Sequence, residues 1–398
     1  MKKLLSYTAL ATVLILSSNA HAAGFHLKEQ SAAAAGNAFA GATAGAEDVS
    51  YAFFNVAGLT RHKGTQINVG STYIAPGLKT SNISGTTENI DNIIGSAVVP
   101  NMNISHQLND KVTLGLGVNV PFGMTSKYDQ NWAGSDHGVT SKVTSATATP
   151  MIAYKLNDKL SVGAGLPIQY LKAKLTQTGD SPVAGTYNHL EGDTVDVGYQ
   201  LGAMYEFNEN TRIGANYRSE VNHKLKGDLD LSYNDMLLAS MDINARIDTP
   251  ATLSFGAFHK INDKWEVMAE YQKVFWSSFD SIDVYTNSIP VPSQPQNWED
   301  TNYYALGANY NLNDQWKLRF GVAHDDAAVK VDYRSPRVPD TKRMWYSAGA
   351  SYKHNDKLTF NLSYTLIKCK EGSVVYNDLQ VDYKNTTQLF GLSMDYKF

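Results

Sequence analysis

Apolar and polar residues alternate with a period of two over much of this chain. In Leu358-Thr359-Phe360-Asn361-Leu362-Ser363-Tyr364-Thr365-Leu366 every even position is apolar and every odd one polar. Successive side chains on a strand point to opposite faces, so the even set shares one face. The last residues, Phe390-Gly391-Leu392-Ser393-Met394-Asp395-Tyr396-Lys397-Phe398, repeat the pattern up to a terminal aromatic. Similar runs cover 112–120, 160–170, 195–207, 265–271, 304–312 and 316–322, with weaker ones at 67–73, 213–221, 251–257 and 344–352. The elements predicted are therefore many short strands, each with one apolar and one polar face.

Six short cassettes punctuate these runs: Leu108-Asn109-Asp110, Leu156-Asn157-Asp158, Phe207-Asn208-Glu209-Asn210, Ile261-Asn262-Asp263, Leu312-Asn313-Asp314 and His354-Asn355-Asp356. Asn and Asp tolerate left-handed backbone angles and bond their own backbone, so they close tight turns between strands. From first Asn to first Asn the intervals are 48, 51, 54, 51 and 42 residues. Each interval holds a strand, a longer loop and a strand back. Short turns at one end and long loops at the other mark a transmembrane β-barrel. Six turns separate seven hairpins, which predicts an all-β fold of 14 antiparallel strands. The turns belong on the periplasmic side. The outer loops fall near 76–96, 122–142, 174–193, 226–246, 277–300, 324–341 and 371–381. The fifth carries Pro290, Pro292 and Pro295, which cannot extend a ladder. In the fourth, Leu237, Leu238 and Met241 fall on one face of a short helix. Such a helix is either a landing patch for an apolar ligand or packing against neighbouring loops.

The N-terminus sets the compartment. Lys2 and Lys3 precede an apolar run from Leu4 to Leu16, and Ala20-His21-Ala22 offers a small-x-small cleavage site. Residues 1–22 thus read as a secretory signal peptide. No other stretch approaches the roughly 20 apolar residues of a membrane helix. The slightly negative mean hydropathy fits a barrel, whose lipid-facing and lumen-facing residues cancel in any window. Without residues 1–22 the chain keeps 32 of its Lys and Arg against 38 Asp and Glu, a charge of −6 that suggests no nucleic-acid partner. Tyr, at 23 residues, suits a membrane interface. The single cysteine, Cys369, excludes an internal disulfide.

Residues 23–64 do not alternate. Ser31-Ala32-Ala33-Ala34-Ala35-Gly36-Asn37-Ala38-Phe39-Ala40-Gly41 is small and partly helical in propensity, and Phe53-Phe54-Asn55-Val56-Ala57-Gly58-Leu59 follows. Such a segment ahead of a barrel (65–398) either hangs in the periplasm or plugs the lumen; its small residues and scattered Phe favour the plug. On one strand Ile213, Ala215, Tyr217 and Val221 face lipid, which turns Arg212, Arg218 and Glu220 inward. On another, Lys317 and Arg319 face inward. Charges at membrane depth belong in the lumen, and Arg218 with Glu220 is expected to join an ion-pair network there.

Several stretches carry a resemblance. They are Ala23-Gly24-Phe25 with the small-residue run, Asn55-Val56-Ala57, Val99-Pro100-Asn101-Met102 and Tyr217-Arg218-Ser219-Glu220-Val221. Leu318-Arg319-Phe320-Gly321 with Asp325-Asp326, and Pro339-Asp340 with Arg343 and Trp345, complete the set. In this order the chain resembles the FadL/OmpP1/TodX family of outer-membrane transporters for long-chain fatty acids and other hydrophobic compounds. The resemblance implies a 14-stranded barrel with an N-terminal luminal hatch, no cofactor, and a monomer in outer-membrane lipid. It implies passive uptake: an apolar ligand lands on the loops, enters the barrel, moves the hatch and leaves sideways beside a kinked third strand. Here that region is Asn119-Val120-Pro121-Phe122-Gly123, so Phe25, Asn55, Val56, Ala57, Pro121 and Gly123 are the expected hatch and gate residues. The family usually has Asn-Pro-Ala where this chain has Asn55-Val56-Ala57. Basic residues that meet the ligand carboxylate in fatty-acid members fall near Gln177 and Gln294. Neutral amides cannot form the charge-assisted bond, and Lys172 or Lys174 is the expected substitute.

Other readings follow from the same barrel. One changes the cargo to neutral or aromatic hydrocarbons. Another makes the chain a surface-exposed structural barrel or adhesin. His137, His189 and His324 lie in outer loops near Asp136, Asp325 and Asp326, but no nucleophile motif, phosphate loop, HExxH or Cys/His metal spacing appears. No enzyme activity and no metal is expected.

Overall fold

The six Asn cassettes form six turns of one design. The Oδ1 of Asn109, Asn157, Asn208, Asn262, Asn313 and Asn355 accepts the backbone N–H groups of the residues two and three ahead, at 2.9–3.0 Å in every case. The side chain thereby does the work of a backbone turn. Asn262→Ala should cost about 1 kcal/mol, the net value of a lost hydrogen bond at an exposed site. Urea unfolding of the barrel in lipid vesicles measures it, and an unchanged midpoint would show the turn forms without the amide.

The computed structural model describes residues 24–398 except 85, 87, 88, 92, 287–292 and 377. The proposed signal peptide, Pro290 and Pro292 lie outside the described residues. The wall consists of β1 (Thr65–Pro76), β2 (Ala97–Gln107), β3 (Val112–Asn119 and Gly123–Lys127), β4 (Thr140–Lys155) and β5 (Leu160–Gly165 and Ile168–Gly179). It continues through β6 (Thr186–Val197 and Gln200–Asn208), β7 (Thr211–Arg218 and Val221–Tyr233), β8 (Met236–Thr249 and Thr252–Lys260) and β9 (Trp265–Val274 and Ser281–Thr286). It ends with β10 (Thr301–Asn311), β11 (Trp316–Asp325), β12 (Arg343–Lys353), β13 (Leu358–Cys369) and β14 (Thr386–Lys397). Neighbours pair antiparallel, and β14 pairs with β1 from Lys397↔Gln66 to Thr387↔Pro76. The sheet is thus closed into a barrel of 14 strands, which removes every edge that lipid could not satisfy. Pro167 and Pro250 stand at two of the breaks within strands, where a missing N–H interrupts the ladder.

Alternation decides which face meets lipid. Phe360, Leu362, Tyr364, Phe390, Leu392 and Met394 are exposed on the outer wall, while Asn361, Thr365, Ser393 and Asp395 are buried in the lumen. Outward aromatic residues form two rows. Near the short turns, Trp265 contacts Tyr310 and Trp316 contacts Tyr352. Six positions further along the same four strands, counted on β9, β10 and β12, stand Tyr271, Tyr304 and Tyr346, with Tyr271 against Tyr304. Trp and Tyr rings beside the turns suit a membrane interface.

Two of the expected outer loops are instead hairpins that continue the wall. The 226–246 stretch is strand on both sides of Asn234-Asp235, whose φ values of 47° and 62° make a tight turn of the twist that hairpins prefer. The expected helix is therefore absent. Leu237 and Leu238 are exposed at the hairpin tip, and Met241 faces inward against the apolar interior. The 174–193 stretch likewise pairs β5 with β6. Above the wall, Lys79–Ser81, Leu379–Lys384 and Gly372–Tyr376 form a small separate sheet around Leu78, Trp132, Val374 and Val381.

Candidate functional site

Residues 24–64 occupy the lumen and are almost entirely buried there. Their backbone folds into two single-turn helices, Ala32–Ala35 and Ala42–Gly45, and two 3-10 turns, Val49–Phe53 and Val56–Arg61. Ser31 starts the first by accepting the Ala34 N–H, and Asn55 starts the last by accepting the Ala57 N–H. Val56 is thus the first residue of a turn, a place where proline is also accommodated.

The seat of this segment is a belt of inward-facing glycines. Gly115, Gly163, Gly202, Gly214, Gly256, Gly307 and Gly349 each lie six positions from a turn Asn, on one side or the other. A Cβ added at any of them would meet the luminal segment: Leu59 at Gly115, Ala57 at Gly163, Asn55 at Gly202, Thr43 at Gly214, Ala44 at Gly256, Ala40 at Gly307 and Gly36 at Gly349. Gly321, paired with Gly307, faces the Asn37 carbonyl in the same way. Gly163 pairs with Gly202 and Gly214 with Gly256. The bare wall lets the segment's backbone approach as closely as a neighbouring strand would. Asn55, Val56 and Ala57 consequently rest against Gly163 and Gly202, while the bonds to Pro121 and Gly123 come from Leu27 and Phe25.

Charge secures the lower end. Glu47 accepts from Arg319 at 2.7 Å and lies 3.4 Å from Lys317, which also meets Glu266 at 3.1 Å. Arg212 donates to the carbonyls of Ala44 and Gly45 and covers the Phe258 ring. Arg218 lies 4.2 Å over the Phe53 ring and donates to Gln200. These four cations are luminal, as alternation requires. Glu220 is not their partner: the strand breaks after Arg218, and the Glu220 carboxylate accepts instead from Asn222. The acid that completes the network, Glu47, comes from the luminal segment, 272 positions from Arg319.

The upper end meets the third strand. β3 breaks at Val120-Pro121-Phe122, and its pairing with β2 stops at Met102↔Val118. Phe25 and Leu27 take up the freed groups: Gly123 donates to the Phe25 carbonyl at 2.9 Å and Leu27 donates to the Pro121 carbonyl at 2.8 Å. Gln30 holds Val120 through both its amide atoms. Phe25 sits among Phe122, Trp276, Phe279 and Trp298. That aromatic group floors an apolar interior that also includes Met124, Leu171, Leu225, Ile243, Ile247 and Val338.

A cation adjoins this interior next to Val338. Arg337, on the chain between β11 and β12, donates to the carbonyls of Thr140 and Thr176, to the Ser141 hydroxyl and to the Gln177 amide oxygen. All four acceptors are neutral, and among the described residues no carboxylate lies within 4 Å of it. Arg337 is half-buried and closely surrounded by protein atoms. Burial lowers its pKa to about 10, so it is charged at neutral pH. Gln177 is therefore inward and beside a cation. Gln294 is half-buried in a two-residue strand against Ile282. Lys172 and Lys174 are not substitutes: both point to the outer surface, where Lys172 pairs with Glu191 and Lys174 lies 3.9 Å from the same carboxylate. His137, His189 and His324 are apart, each beside its own acid: Asp136 and Asp378, Glu191, and Asp326.

Residues 13–398 match the sequence profile described as outer membrane protein transport protein (OMPP1/FadL/TodX). The long-chain fatty acid transport protein of Salmonella typhi is 28% identical over 435 residues, spanning 100% of this chain and 99% of the relative. Outer membrane protein P1 of Haemophilus influenzae is 27% identical over 471 residues, spanning both chains completely. The crystal structure of a Pseudomonas aeruginosa FadL homologue superimposes with a TM-score of 0.85 at 25% identity, covering 94% of this chain and 100% of that one. The Pseudomonas putida toluene transporter TodX shares the fold, with a TM-score of 0.73 at 18% identity over 95% of this chain and 100% of that one. The chain is a multi-pass outer-membrane β-barrel and belongs to the OmpP1/FadL/TodX family of outer-membrane transport proteins.

Proposed function

We propose that this barrel is a passive, non-enzymatic, monomeric channel for hydrophobic small molecules, with long-chain fatty acids its leading cargo. The observation that carries the cargo is Arg337: a charged guanidinium with only neutral partners, at the border of an apolar interior. Such a group leaves an anion's place open, and an amphipath with a carboxylate head and an apolar tail supplies both halves. Relatives named as long-chain fatty acid transport proteins agree with this choice. The luminal segment acts as the hatch. Its bonds to Pro121 and Gly123 occupy the place where β2 and β3 stop pairing, so release of Phe25 and Leu27 would free a lateral exit there.

Proteoliposomes that carry the protein and a trapped acyl-CoA synthetase with its substrates provide the test. Labelled oleate should accumulate as the thioester faster than in protein-free vesicles, and the rate should saturate with oleate. Equal rates with and without protein would overturn the reading.

A further inference from the structure

We propose that the outer surface of β4 and β5 binds the phosphate-bearing headgroup of an outer-leaflet lipid, through Lys142, Lys172 and Lys174. The argument begins with height. Leu160, Val162, Ala164, Leu166, Ile168 and Tyr170 form the lipid-facing side of β5. They span ten positions, or about 33 Å at roughly 3.3 Å per residue. A strand tilt of about 40° reduces that to about 25 Å of height, the thickness of a barrel's apolar band. The next two outward residues are Lys172 and Lys174. They stand where the lipid headgroups begin.

The second element is an imbalance of charge. Lys142 on β4 pairs directly with Lys174 on β5, and Thr144 with Lys172. Like charges opposite one another across an antiparallel pair repel. The one carboxylate within 4 Å of the three lysines, among the described residues, is Glu191; it pairs with Lys172 and lies 3.9 Å from Lys174. Lys142 has no such partner. Glu191 stands opposite Lys174 and Asp193 opposite Lys172, so two acids face three ammonium groups, and Lys142 beside Lys174 is the one left over. A phosphate at this height relieves the repulsion, while the acyl chains of the same lipid lie along Ile168 and Tyr170. The Thr144 hydroxyl, between the lysines, adds a donor of the kind phosphate accepts.

The test uses the purified full-length barrel in detergent micelles, with bisphosphorylated lipid A as the probe and native mass spectrometry as the readout. The parent protein should retain lipid A. The paired variant Lys142→Glu with Lys174→Glu should bind at least about tenfold more weakly, since two attractions become repulsions. Lys142→Arg with Lys174→Arg should bind like the parent, and Lys111→Glu, at a short turn, should have no effect. Dephosphorylated lipid A should bind as weakly to the parent as lipid A does to the glutamate variant. Equal binding by parent and glutamate variant, or by the two lipids, would overturn the proposal. So would complete competition by millimolar inorganic phosphate, which would make this a free-anion site.

Discussion

Gly321→Val should yield a barrel that still assembles but no longer holds its luminal segment in place. The added side chain would start inside the space of the Asn37 carbonyl, and backbone cannot swing aside as a flexible side chain can. Overpacking of this kind costs about 1–3 kcal/mol. That shifts the seating equilibrium about ten- to a hundredfold. The wall itself should tolerate the change, because β11 keeps its full ladder to β10 and β12. In planar bilayers the variant should show open-channel events that the parent lacks, and cells carrying it should become sensitive to large hydrophilic antibiotics. Ala308→Val, on the neighbouring strand but facing lipid, should behave as the parent. If Gly321→Val stays as impermeable as the parent, the glycine belt does not govern seating.

That belt was present in the sequence as a spacing. The turn Asn residues mark where each strand begins or ends, and glycines recur six positions to either side of them. Parity then places those glycines inside. The same parity correctly turned Arg212, Lys317 and Arg319 toward the lumen. It also points Lys172 and Lys174 outward, because they share a face with Ile168 and Tyr170. That rules them out as substitutes for the basic residues that the resemblance places near Gln177 and Gln294, because alternation along the strand is set by backbone geometry. Asn234-Asp235 carried the turn signal that separates two strands, yet the apolar spacing of Leu237, Leu238 and Met241 mimicked a helical face over too few residues to discriminate.

Other features were out of reach for a different reason. The Glu47–Arg319 pair joins residues 272 positions apart, and the bonds from Phe25 and Leu27 to β3 join the luminal segment to the wall. Periodicity tells which face a residue occupies, not which residue it meets across a lumen. Arg337 lies in a connection without any period, so nothing local marked it. Its partner Gln177 was singled out only as a lost cation.

The position of Arg337 changes what should be expected of cargo selection. With neutral glutamines alone, the chain would distinguish poorly between a fatty acid and its alcohol. With Arg337 donating to Gln177, a carboxylate entering this corner would exchange neutral acceptors for a charged one. A charge-assisted hydrogen bond is worth about 1.5–3 kcal/mol, or roughly ten- to a hundredfold in affinity. The parent should therefore prefer oleate to oleyl alcohol by about that factor. Arg337→Gln should remove the preference by weakening oleate binding and leave the alcohol nearly unchanged. Gln177→Arg should not improve acid binding in proportion, since a second guanidinium must share the corner with the first. Isothermal titration of detergent-solubilised protein with the two matched ligands measures all three differences. Equal loss of acid and alcohol on replacing Arg337 would mean that it braces the Thr140–Thr176 corner and takes no part in recognising the ligand head.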